Sequence, residues 1–392
     1  MFLLIFGFGI HFLRHGMIFP LIPLYAQSLG AAESLVGAVV ACFHLLAMFL
    51  AVPIGGFVER FGLRRMLIYG ASCNVIYSLL ILAASSLWVL IAAQVIGGLG
   101  FLLLIVATQT YVGSMQENRA RERSFGRITL AAAVGQTLGP ALGGALLSWA
   151  GFEYVFVVAL GLSLLGTLAS AGPEPQMSAK NKQMAVTGAR WQQIPDLLGS
   201  TRLVCTLAFT FSIVVVVSLR GSFLPLLLQE KGINEEEMGI LLSCFALAMT
   251  LVRVVVGRIL GLTSRLNVLV FTLVCTIVGS GLLPMLGSPV VLGMFLALFG
   301  LGFGLSQPLS MVMISDVSGS GLAMGMRFFS ITVANFLSSL TMGLVAEYFG
   351  LAAAFYLGAG FLTVIGVWVI WTLASRSNND ETERSRGSTH AA

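Results

Sequence analysis

Four arginines and three histidines interrupt the apolar runs of this 392-residue chain, and these are the residues whose types could do chemistry. Arg14 lies with His11 one helical turn before it and His15 directly after it, while Arg220, Arg253, Arg327 and His44 stand alone in other apolar runs. A guanidinium without a carboxylate nearby is a planar fork of donors suited to a carboxylate or phosphate. Histidine titrates near neutrality and is the group able to carry a coupling proton. Gln109, Gln136, Gln307 and Asn335 add neutral donors and acceptors. The acids keep to loops, tails and the ends of runs, with Glu33, Glu59, Glu153, Asp316 and Glu347 the closest to an apolar core. A carrier of lipophilic cations wants a buried acid to attract them. This chain offers cationic and neutral groups instead, which favours an anionic or zwitterionic organic solute.

Enzymatic chemistry is not expected. The four histidines show no HExxH spacing and no paired acid cluster, and the five cysteines have neither metal-ligand nor disulfide-framework spacing. No cofactor and no metal are implied.

The elements that must position these groups are membrane-spanning helices. The chain is 57% hydrophobic and 9% charged, with a mean hydropathy of +0.97, more apolar surface than a soluble domain of this size can hide. Apolar stretches of about 20 residues, the length of a helix that crosses a bilayer, recur throughout. They predict twelve spans, near 2–26, 35–58, 66–84, 87–113, 124–149, 153–171, 202–229, 237–262, 267–286, 289–314, 321–345 and 351–374. A transmembrane β-barrel would need short alternating strands. With both termini on the cytoplasmic side, 16 of the 21 basic residues fall in inner segments and only Lys231 in an outer loop. That bias follows the positive-inside rule and accounts for the formal charge of +5 without any nucleic-acid partner. A multi-pass protein of the plasma or inner membrane is expected, working as a monomer in the lipid bilayer.

The spans form two copies of one unit. At a fixed offset of 202 residues, Pro23-Leu24 meets Pro225-Leu226, Gly30 meets Gly232, Gly37 meets Gly239, and Cys42-Phe43 meets Cys244-Phe245. Further along, Cys73 meets Cys275, and Gly98-Leu99-Gly100-Phe101 meets Gly300-Leu301-Gly302-Phe303. The organisation expected is a six-helix bundle over 1–171, a cytoplasmic linker over 172–201, a second bundle over 202–374 and a polar, disordered cytoplasmic tail over 375–392. Parallel repeats of this kind suit a carrier that rocks two halves about a central site.

Two motifs carry a resemblance to a known family. Between the second and third spans runs Gly55-Gly56-Phe57-Val58-Glu59-Arg60-Phe61-Gly62-Leu63-Arg64-Arg65. It resembles the cytoplasmic loop motif of the major facilitator superfamily, with Glu59 where the family usually has Asp. The fifth span carries Gly135-Gln136-Thr137-Leu138-Gly139-Pro140-Ala141-Leu142-Gly143-Gly144. It is similar to the glycine-proline motif of that superfamily's exporters and antiporters. The fourth span departs from the pattern, with Gln94 where an arginine usually stands. The resemblance implies twelve helices in two pseudo-symmetric bundles around a central cavity lined by the first, fourth, seventh and tenth spans. It implies alternating access, with export by proton or solute antiport.

On that frame Arg14, His15, His11, His44, Gln109, Gln136, Arg220, Gln307 and Asn335 are the candidate substrate-binding residues. Arg14 and Arg220 would clamp the anion from facing spans. Gly55, Glu59, Arg60, Gly62, Arg64 and Arg65, with Gly135, Gly139, Pro140, Gly143 and Gly144, would serve the conformational change. Arg327 would pair with Asp316 as an inner gate. The alternative is a broad-specificity efflux carrier for apolar or cationic compounds.

Overall fold

The computed structural model describes residues 2–50, 61–113, 118–170, 195, 198–317 and 321–389, and among these the chain is helical throughout. In order they are α1 (Phe2–Ile18), α2 (Glu33–Leu50), α3 (Leu63–Leu82) and α4 (Leu87–Gly113). One hydrogen-bonded run, Asn118–Ser170, follows, and then α7 (Thr201–Ser222), α8 (Glu235–Leu262) and α9 (Arg265–Gly281). The last three are α10 (Pro289–Val317), α11 (Gly321–Phe349) and α12 (Leu351–Thr389). Eleven of the described runs are long and apolar enough to cross a membrane, and one of them, Gly126–Ser170, is 45 residues long. At 1.5 Å per residue it would reach about 67 Å, over twice the hydrocarbon thickness. It is broken at Gly151, whose φ of 81° and ψ of 178° are open only to glycine. The run is therefore two crossings, α5 (118–150) and α6 (152–170), and the described residues hold the twelve spans expected.

The repeat is visible in the packing. α1 gives way to a tight turn at Phe19–Leu21 and a short helix, Ile22–Ser28, with Pro20 and Pro23 at helix-starting positions. α7 gives way at Phe223 to Leu224–Glu230, led by Pro225. The connections that follow turn on Gly30 (φ 86°) and Gly232 (φ 74°). Deeper in each half, a Cβ on Gly98 would collide with the carbonyl oxygen of Phe43, and a Cβ on Gly300 with that of Phe245. Each glycine and its partner are 202 residues from their counterparts. Small residues here let backbones touch, which is how helices gain packing energy where lipid removes the hydrophobic drive.

The two halves meet along α2–α11 and α5–α8. A Cβ on Gly37 would strike the Ser339 carbonyl and lie 3.0 Å from Gly343 Cα; one on Gly144 would strike the Glu235 carbonyl and lie 3.0 Å from Gly239 Cα. Two hydrogen bonds accompany these crossings, from the Ser34 amide to Glu347 (3.2 Å) and from the Ala141 amide to Ser243 Oγ (3.1 Å). All of these contacts lie where α2 and α8 begin and where α5 and α11 approach their ends. At the opposite ends, Gly126 of α5, Gly257 of α8 and Gly325 of α11 meet nothing within 4 Å. The halves are shut against each other near the face where α2 and α8 begin, and toward the other face Phe328 of α11 packs on the N-terminal cluster around Phe8 and Leu67.

The end of the chain departs from expectation. Instead of a disordered tail, the backbone continues α12 as helix to Thr389.

Candidate functional site

The glycine-proline motif serves two partners. A Cβ on Gly135 would lie 2.5 Å from the Leu13 amide nitrogen, one on Gly139 2.7 Å from the Gly16 carbonyl carbon, and one on Gly143 2.5 Å from the Met17 carbonyl oxygen. This stripe, four residues apart, seats α1 on α5 within one half. Gly144 and the Pro140 carbonyl face Gly239 of α8 in the other half. Proline bends a helix and disturbs its hydrogen-bond ladder, and here the Ala141 amide is taken up by Ser243 across the interface.

That seating places Arg14 inside the N-terminal bundle, with 0% of its surface exposed. Its Nη2 donates to Asn74 Oδ1 of α3 at 2.6 Å, and its Cζ lies 5.1 Å from the centre of the Tyr77 ring. Asn74 is held in turn by donating to the Gly70 carbonyl at 3.1 Å. The Tyr77 hydroxyl lies 3.5 Å from Gln94 Nε2, so the glutamine that replaces the family's usual arginine belongs to the same cluster. Arg14 Nε and Nη1 and Gln94 Oε1 are buried with no hydrogen-bond partner. His11 is equally buried, against Gly166 of α6, and neither ring nitrogen has a hydrogen-bond partner.

His15 and His44 lie in an aromatic cluster. The His15 ring stacks on Phe101 (4.3 Å) and Phe43 (5.3 Å), and Phe19 lies 4.9 Å away. His44 is edge-on to Phe43 at 5.4 Å. Through Phe19, whose ring also lies against the α7 backbone at Gly221, this cluster reaches the other half. Arg220, partly exposed on α7, rests its guanidinium 4.4 Å from the centre of Phe245, and its Nε has no hydrogen-bond partner. Next to it, a Cβ on Gly221 would come within 2.6 Å of the Phe19 ring.

The remaining candidates are spread more widely. Arg327 is buried on α11 and donates from Nε to Ser310 Oγ (2.8 Å) and from Nη2 to Gln307 Oε1 (2.5 Å) and the Gln307 carbonyl (3.2 Å). Gln307 is thereby committed to Arg327, and the side chain of Asp316 lies outside the described ones. Asn335 is partly buried and donates to the Ile331 carbonyl at 2.9 Å. Gln136 is half-buried and Gln109 exposed. Gly55, Glu59 and Arg60 lie outside the described residues. Gly62, with φ of 87°, caps α3, and Arg64 and Arg65 are exposed in its first turn. A groove of 570 Å³ between α8 and α10, floored by Leu241, Cys244 and Gly293, is almost wholly apolar and contains none of these residues. Sequence reasoning missed Asn74, Tyr77 and Phe245 as members of the site. The polar Asn74 beside the repeat-matched Cys73 was the available signal.

A sequence profile described as the Major Facilitator Superfamily matches residues 4–320 and 221–391. Multidrug resistance protein 1 of Bacillus subtilis is 21% identical over 349 residues, covering 86% of this chain and 87% of that protein. Multidrug resistance protein 2 of the same organism is 22% identical over 381 residues, covering 94% and 93%. Among solved structures, the nucleoside transporter NupG superposes with a TM-score of 0.75 at 14% identity, covering 95% of this chain and 98% of that one. The human organic anion transporter TETRAN superposes at 0.65 and 16% identity, covering 94% and 98%. A bacterial homologue of the lysosomal transporter Spinster, solved in an inward-facing and unoccupied conformation, gives 0.74 at 15% identity, covering 96% of each chain. With a duplicated six-helix fold, glycine-lined interfaces between the halves and a profile match along nearly the whole chain, this protein belongs to the Major Facilitator Superfamily and is a membrane transporter, not an enzyme.

Proposed function

We propose that the protein exports a small anionic or zwitterionic organic solute by alternating access, exchanging it for a proton or a second solute. The observation that carries this reading is the pair of under-bonded guanidinium groups, Arg14 in the N-terminal half and Arg220 in the C-terminal half. A cation at the centre of a membrane costs roughly 2.5–3.5 kcal/mol even on the lowest scales. Every carboxylate with a described side chain (Glu33, Glu153, Glu230, Glu235, Glu236, Glu237 and Glu347) stands at a helix end or in a turn, out of reach of that cost. An arriving anion would supply the missing counter-charge. Arg220, which keeps some exposure, is its direct contact; Arg14, fully buried, acts through its field and through Asn74.

His15 is the proton carrier in this scheme, and export rests on the resemblance of the α5 motif to those of exporters. The termini are placed in the cytoplasm, and the protein acts as a monomer in the plasma or inner membrane. Gly62, Arg64 and Arg65, with Glu59 and Arg60, serve the conformational change.

A second reading is broad drug efflux, favoured by the names of the Bacillus relatives and by the partly exposed aromatic side chains around His15. Thermal stabilisation of the purified protein, wild type and Arg14→Ala, against organic anions, amino acids and lipophilic cations separates the two. Stabilisation by anions that vanishes in the variant is the expected result. Stabilisation by cations alone, indifferent to Arg14, would overturn the anion reading.

A further inference from the structure

Two nitrogen-bearing side chains, His15 and Arg220, sit on equivalent aromatic residues. Phe43 and Phe101, 5.8 Å apart between ring centres, recur 202 residues later as Phe245 and Phe303, 6.2 Å apart. His15 stacks on both rings of the first pair, and Arg220 lies over Phe245 of the second. Phe19 joins them, its ring in contact with the N-terminal pair through Phe43 (5.4 Å) and with the backbone of α7 at Gly221, beside Arg220. Phe101, Phe303, Phe19, His15 and Arg220 all keep part of their surface exposed. Each half therefore brings one phenylalanine pair and one nitrogen group, and Phe19 bridges the two sets.

A cation laid on a ring face presents its remaining donors sideways. A ligand whose charge reaches Arg220 must lay its own body along the neighbouring rings. A flat π-system fits such a wall by offset stacking, which an sp³ ring of equal size cannot do. Aliphatic and aromatic acids carry the same charge, so the arginines alone do not choose between them. The ring pairs do.

We infer that the site selects aromatic carboxylates: planar acids whose carboxylate meets Arg220 and whose ring lies against Phe101 and Phe303. This rests on the anion reading above and narrows its substrate class.

The test is equilibrium binding to the purified, detergent-solubilised full chain, using 2-naphthoate, its saturated counterpart decahydronaphthalene-2-carboxylate, acetate, and tetraphenylphosphonium. 2-Naphthoate is expected to bind about tenfold more tightly than the saturated acid, the upper end of what ring stacking adds beyond area. Phe101→Leu and Phe303→Leu should each reduce that ratio. Equal affinity for the two acids in the wild type overturns the aromatic selection and leaves the anion reading standing. Binding of tetraphenylphosphonium with neither acid bound overturns both. The wild-type comparison decides the matter even if a variant fails to fold.

Discussion

Tyr77 and Phe299 stand edge-on to equivalent phenylalanines, Phe43 at 6.5 Å and Phe245 at 5.0 Å, but reach them from different helices. In the N-terminal half the large ring is on α3 and the glycine opposite it, Gly97, is on α4. In the C-terminal half the glycine, Gly279, is on α9 and the large ring is on α10. The exchange keeps the volume of the gap and changes its chemistry. Tyr77 brings a hydroxyl for Gln94 and a ring face for Arg14, whereas Phe299 brings neither. The position matching Arg14 is Val216. The buried cation and the ring that carries it belong to one half only.

Asn74→Asp tests the role of the uncompensated charge. A carboxylate at hydrogen-bond distance from Arg14 would neutralise the field that an anionic ligand needs. Anion affinity is expected to fall by about tenfold or more while the melting temperature holds or rises. Titration calorimetry beside thermal unfolding reads both, and undiminished affinity would remove Arg14 from the binding reaction.

Gly144→Ala or Gly239→Ala places a methyl group against backbone at the α5–α8 crossing, where no side chain can swing aside. The closed end of the molecule should open. In a protein carrying Ser34→Cys and Glu347→Cys, whose native side chain and backbone lie within hydrogen-bond range, disulfide formation is expected to drop severalfold once either alanine is added. Unchanged cross-linking would show that this crossing does not govern closure.

Gly98→Ala and Gly300→Ala should behave as a matched pair. Both force a Cβ into a phenylalanine carbonyl, and overpacking of this kind costs about 1–3 kcal/mol. Thermal unfolding of the two variants should show similar losses. A large loss in one half only would mean that the repeat has diverged in how it bears load.

Arg327→Leu would leave the Gln307 side chain and the Ser310 hydroxyl without their donor. The expected cost is about 1–3 kcal/mol of stability. Arg327→Lys should recover little of it, because two separate nitrogens of the guanidinium make these bonds. Full recovery by lysine would reduce Arg327 to a point charge.

The spans, the repeat and the α5 motif were legible in the sequence because each is a regularity along the chain: hydrophobic length, a constant offset, a four-residue spacing. The setting of Arg14 was not. Asn74 and Tyr77 lie sixty or more residues away, and nothing local marks them as its partners. Phe43 and Phe101 were visible as repeat markers, yet their stacking with His15 depends on how α1, α2 and α4 converge. Arg327 has neutral partners on α10, where Ser310 and Gln307 sit one turn apart on the face it meets, and the Asp316 side chain expected to pair with it lies outside the described ones.

The glycine stripe of α5 has a mechanical consequence. Three contacts tie the helix to α1 along its length, so α5 moves as part of its own half, while Gly144 meets the other half only near one end. In the proposed alternating access the crossing with Gly239 would be a fulcrum, and the span from Gly144 back to Gly126 a lever arm of about 27 Å at 1.5 Å per residue. A tilt of about 10° at the fulcrum swings the free end through about 5 Å along that arm. In that scheme a small rotation where two glycines touch would be magnified along the helix, through the bend at Pro140, into an opening at its far end.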